Sequence, residues 1–102
     1  MVVYNKLVRD RIPELIKSQG ETPNIRILER EEYLRHLEKK LDEEVGEYHR
    51  DKNAEELADI LEVVFALAEA IGCSKVDLLA VYEKKHTERG GFRDRVFLIS
   101  KE

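Results

Sequence analysis

The 102-residue sequence has no tryptophan, one glutamine and one cysteine, Cys73. A lone cysteine excludes an internal disulfide and any site built from several thiolates. No long apolar run and no signal-like start occur; after Val2-Val3-Tyr4 the chain turns charged at once. A membrane partner is therefore not expected, and a cytoplasmic location is. An excess of positive charge is missing as well. The net charge of −4 excludes a general nucleic-acid binder. No repeat, linker or low-complexity stretch divides the chain, so residues 1–102 are read as a single domain. His36, His49 and His86 share no spacing, and no nucleophile–histidine–acid set is evident.

What is present is charge in pattern. Charged residues make up 39% of the chain and hydrophobic residues 42%, enough for a compact core but not a large one. Several helical stretches are too apolar for a lone small bundle, so a homodimer or homotetramer is expected. The expected fold class is all-α, an antiparallel helical bundle. Asp10 and Pro13 open a first helix from about Arg11 to Ser18, burying Ile12, Leu15 and Ile16, and Gly20 stops it. A second runs from about Glu31 to Arg50, with its stripe at Leu34, Leu37, Leu41, Val45 and Tyr48. Asn53 opens a third that reaches about Ile71 and should be the central, most buried one. Ser74 opens a fourth, to about Thr87, with Val76, Leu79 and Ala80 on its buried face. Segments 25–28 and 95–99 are β-prone, and could pair as a short two-stranded element.

The second and third helices carry the chemistry. Glu44 and Glu47 are three apart, as are Glu56 and Asp59, so each pair projects from one helix face. The polar stretch Tyr48–Asn53 allows only a tight reversal. Folding back about residues 51–52 sets Glu47 level with Glu56, and Glu44 level with Asp59. Four carboxylates then meet between two helices, and bare they would repel and take up protons. A hard dication removes the conflict, and oxygen-only ligands select Mg²⁺ or Mn²⁺ over zinc. Such acid pairs are usually solvated surface. Here Glu44 flanks the apolar stripe and Asp59 sits within Leu57-Ala58-Asp59-Ile60-Leu61, where an unpaired acid is costly. Glu56 has a competing role, since it stands three residues after Asn53 at capping-box spacing. Glu62, one turn beyond Asp59, reads as an outer acceptor or an edge acid. Gly46 admits either close helix packing or approach to the backbone. Gly90-Gly91 reads as a turn, with an anion-holding nest as the alternative.

These motifs resemble the all-α nucleoside triphosphate pyrophosphatase superfamily, which includes MazG, phosphoribosyl-ATP pyrophosphohydrolase and dimeric dUTPases. The E-E-x-x-E and E-x-x-D signatures stand here as Glu43-Glu44-Val45-Gly46-Glu47 and Glu56-Leu57-Ala58-Asp59. The opening Tyr4-Asn5-Lys6-Leu7-Val8-Arg9-Asp10-Arg11-Ile12-Pro13 and the closing Lys85…Arg89-Gly90-Gly91-Phe92 are similar to its small, stand-alone MazG-like branch. The resemblance implies a MazG-like bundle, assembled as a dimer or a dimer of dimers. It implies Mg²⁺-dependent cleavage of nucleoside triphosphates to monophosphate and pyrophosphate, as house-cleaning of non-standard nucleotides. Phosphoribosyl-ATP hydrolysis in histidine synthesis, or a non-catalytic nucleotide-binding or regulatory module, are the alternatives. By motif position Glu44, Glu47, Glu56 and Asp59 match the metal ligands, and Glu43 matches an acid that holds or activates water. Lys6, Arg9, Lys85 and Arg89 are candidates to neutralise the substrate phosphates. The gap between the acidic motifs is shorter than in many MazG domains, so a loop there that would contact a base is nearly absent.

Overall fold

The computed structural model describes residues 1–102 as four α-helices and no strand: α1 Ile12–Ser18, α2 Arg30–Asp51, α3 Ala54–Ala70 and α4 Lys75–Arg89. Lys52 and Asn53 alone join α2 to α3, so these helices form a tight antiparallel hairpin. Lys52 ends α2 in the left-handed region, φ 48°, and its N–H donates to the Tyr48 carbonyl at 2.8 Å. The reversal is thus shorter than Tyr48–Asn53, and α2 gains a residue at either end. The α2 stripe points inward as its spacing requires, with Leu37 buried and Leu34, Leu41, Val45 and Tyr48 half-buried. Opposite it, α3 buries Val63 and Ala68.

α3 is central, lying between α2 and α4, yet it is not buried all round. Leu57 and Leu61 are 47% and 53% exposed. On α4 the sequence-predicted face is wrong. Val76, Leu79 and Ala80 are exposed, and Leu78 is the one half-buried residue. Ser74 caps α4 as expected, its hydroxyl accepting from the Asp77 N–H at 3.1 Å. α1 packs on no other helix. Its cap residue is Arg11 rather than Asp10, without a side-chain cap bond, and Leu15 stays exposed.

The two-stranded element does not form. Neither 25–28 nor 95–99 makes ladder hydrogen bonds, and Ile27 and Val96 are each 86% exposed. A lone two-stranded ribbon is marginal in water without a face to pack on, and of the two segments only Leu28 is even half-buried. Gly90 closes α4 at φ 78°, its N–H donating to the His86 carbonyl at 2.8 Å. That amide is spent on the helix end, so Gly90-Gly91 is a turn rather than an anion nest. No helix is long and apolar enough to cross a membrane.

Candidate metal centre

The last turns of α2 and the first turns of α3 lie side by side at the reversal. One carboxylate oxygen from each of Glu44, Glu47, Glu56 and Asp59 lies within 4.8 Å of the others. The capping conflict at Glu56 resolves in favour of the cluster. Asn53 Oδ1 accepts from the Glu56 N–H at 3.0 Å, which is the backbone half of the capping box. The returning half is absent, and the Glu56 carboxylate faces the other acids instead. Its Oε2 is shielded from water and has no hydrogen-bond partner.

Glu44 is the most enclosed of the four, at 6% exposure, and its Oε2 is also buried without a partner. Burial, then the adjoining Glu47, hold the Glu44 carboxyl above its ordinary range; Lys40 opposes this and Asp59 adds to it. Glu56 is raised in the same direction, by desolvation and then by Glu47, with Asp51 and Asp59 contributing. Lys40 reaches Glu44 Oε1 at 3.5 Å, whereas Glu47 and Glu56 have no basic partner. Two shielded acceptor oxygens, four converging carboxylates and no nitrogen or sulfur donor suit a hard dication of the Mg²⁺ or Mn²⁺ type.

Cations border the cluster. Lys6 stands 3.6 Å from Glu43 Oε1, and Lys40 stands 3.5 Å from Glu43 Oε2. Arg9 donates from Nη1 to Asp59 Oδ1 at 3.2 Å, and its Nη2 lies 3.7 Å from Glu62 Oε1. The N-terminal arm is thus fastened across the hairpin by its charges. Glu62 is occupied by Arg9 at the edge of the site and is not among the four converging acids. Lys85 and Arg89 are not brought here. They lie on exposed α4 and pair with none of these acids within the chain. Lys40 went unnoticed in the sequence, although it precedes Glu43 and Glu44 at i,i+3 and i,i+4, the spacing of helical ion pairs. Gly46 is not required by close helix packing: an added Cβ would meet only Arg50 Nη1, at 3.8 Å. Cys73 is half-buried, with a weak contact from Sγ to the Ser74 carbonyl.

A half-open cavity of about 430 Å³ runs from the acids along the groove between α2 and α3. Glu44 and Asp59 stand on its wall, together with Leu7 and Val8 of the N-terminal arm. No family model matches the chain, and no solved structure does. Over 42 residues the chain is 62% identical to an uncharacterised protein of Mycolicibacterium smegmatis. That stretch covers 41% of this chain and 43% of that protein, under half of each.

Proposed function

We propose that the protein is a Mg²⁺-dependent nucleoside triphosphate pyrophosphohydrolase, with Mn²⁺ as a substitute ion, acting on non-standard nucleotides as a homodimer or homotetramer. The observation that carries this reading is the meeting of Glu44, Glu47, Glu56 and Asp59 with two shielded carboxylate oxygens left without partners. Those four residues would hold the ion. When bound, Mg²⁺ supplies neutralisation of the polyphosphate and a lower pKa for an adjacent water.

The remaining work falls to the chain itself. Glu43 is half-exposed beside the cluster, tethered by Lys6 and Lys40. In that place it can orient a water and accept its proton. Lys6 and Arg9 are partly exposed and carry their charge at the mouth of the acids, positioned to bind the phosphates. Lys85 and Arg89 would join them only from another copy. Exposed Leu57 and Leu61 on α3 support assembly, because apolar residues in a row on the central helix gain by being covered.

Pyrophosphate release from a nucleotide panel, with Mg²⁺ and with chelator, tests the reading. Turnover of several triphosphates that chelator abolishes is the expected result. Turnover of phosphoribosyl-ATP alone would move the assignment to that hydrolase. No turnover of any nucleotide would leave a binding module.

A further inference from the structure

We infer that the cavity beside the acids is a nucleobase pocket, in which Glu69 and Lys75 select bases with a guanine-type edge, modified guanines among them. The identity of the phosphate end of this ligand rests on the pyrophosphohydrolase reading; the pocket itself rests on its own walls.

Tyr33, Phe65, Glu69 and Lys75 line the same cavity as Glu44 and Asp59. Asp59 and Glu69 lie on one helix, ten positions apart, about 15 Å at the α-helical rise. Glu44 and Tyr33 are separated by a similar length of the antiparallel α2, roughly 16 Å. Tyr33 and Glu69 therefore mark the end away from the acids, at a reach comparable to that from a nucleotide's phosphates to the outer edge of its base. The volume lies within the range of small-ligand pockets, roughly 300–1,000 Å³. The wall is mixed: buried Leu37 and Val63 give it an apolar part, and Arg9, Lys40 and Glu62 also line it. The cations suit phosphates, whereas a base and its ribose cover the apolar part. Tyr33 adds an aromatic ring, on which bases stack.

The charged groups beside Tyr33 and Phe65 are two carboxylates, Asp10 and Glu69, and one ammonium, Lys75. Glu69 has no ion-pair partner in the chain. It lies close enough to Tyr33 that, after burial and Asp10, its charge helps hold the phenol above its ordinary range. Tyr33 thus stays a neutral donor. Lys75 Nζ sits 4.5 Å from the centre of the Phe65 ring. An ionised carboxylate only accepts and an ammonium only donates. The base edge they fit has N–H donors beside a carbonyl oxygen. Guanine offers its ring N–H and 2-amino group next to O6. Hypoxanthine lacks the amino group, and adenine lacks the carbonyl.

Equilibrium binding to the full chain tests this, with GMP, IMP, AMP and inorganic tripolyphosphate as probes in the presence of Mg²⁺. The variants are Glu69→Ala and Ala66→Leu, the latter narrowing the cavity without altering a charge. Expected are a preference for GMP and its loss by about tenfold or more in Glu69→Ala, the worth of a good bidentate contact to a base. Tripolyphosphate affinity should hold in both variants, while Ala66→Leu weakens all three nucleotides. Equal binding of the nucleotides by the wild type, or a GMP preference that survives Glu69→Ala, would overturn the inference. So would nucleotide binding untouched by Ala66→Leu. Tripolyphosphate bound with no base preference sinks the pocket and spares the hydrolase. A guanine preference without Mg²⁺-dependent pyrophosphate release does the reverse.

Discussion

Glu44→Gln separates the charge of the buried acid from its shape. Without metal, the wild-type carboxylate is almost wholly enclosed, stands among Glu47, Glu56 and Asp59, and has an oxygen with no partner. A glutamine amide in its place donates to a neighbouring carboxylate. The gain is on the order of 1 kcal/mol for the new hydrogen bond. That corresponds to a rise in Tm of roughly 4–8 °C for a domain of this size. With Mg²⁺ the order inverts. At a hundred times its Kd, a ligand of the folded state alone stabilises by about 2.7 kcal/mol, or roughly 11–22 °C. The wild type should gain this and the variant little of it. Calorimetric melts at one fixed chain concentration, in chelator and in Mg²⁺, read both effects; the fixed concentration matters because assembly also moves Tm. A variant that melted several degrees lower in chelator, and still rose as far as the wild type in Mg²⁺, would refute the placement of Glu44 as a ligand.

Three further outcomes follow from the same geometry. Glu44 and Glu56 have folded-state pKa values above the ordinary 4.5. From about there upward the folded chain therefore holds more protons than the unfolded one, and metal-free stability falls as pH rises through the raised values. Mg²⁺ competes with those protons, so the Mg²⁺-induced shift in Tm should grow across the same window; a shift independent of pH would contradict this. Arg9→Gln should lower kcat/KM for triphosphates roughly 10- to 100-fold, the range for losing a charged hydrogen bond. Calorimetry should then find Mg²⁺ bound at least as tightly, since Asp59 is freed of its guanidinium; weaker Mg²⁺ binding would point to disruption of the site instead. Leu57→Asp with Leu61→Asp should reduce the mass in sedimentation, because covering each leucine is worth about 1.5–3 kcal/mol. An unchanged mass would place the interface elsewhere.

The hairpin was legible because its determinants are local. The α2 stripe, the Asn53 and Ser74 caps and the equal spacing of the acid pairs depend only on helical periodicity and a short reversal. Those terms fix which carboxylates meet. Lys6 and Arg9 stand out in the sequence as candidate cations for a phosphate, but their partners in the structure, Glu43 and Asp59, follow from where the N-terminal arm crosses the hairpin. Periodicity does not encode that. The missed features share this origin. Val76, Leu79 and Ala80 have helical spacing, yet which face of α4 meets α3 depends on the turn at Gly72-Cys73, and Leu78 takes that place. Segments 25–28 and 95–99 have β propensity, but propensity becomes a strand only where a neighbour pairs it.

The surplus of uncovered surface bears on the acids themselves. The chain exposes 9486 Å², whereas a compact monomer of 12.0 kDa exposes about 6,000 Å². Its radius of gyration is 17.9 Å, against about 13 Å for a compact chain of this length. The excess includes Leu57 and Leu61, on the same turns of α3 as Glu56 and Asp59. Within the chain only α2, α4 and the Arg9 contact resist a roll of α3 that would part its acids from Glu44 and Glu47. Bringing four like charges together needs a stiff frame. A second copy packed on the leucine face would supply the stiffness from the side opposite the strain. On this reading assembly and metal affinity are one equilibrium. Mg²⁺ affinity measured at chain concentrations where the assembly dissociates should weaken in step with the loss of the larger species, and affinity constant through dissociation would separate the two.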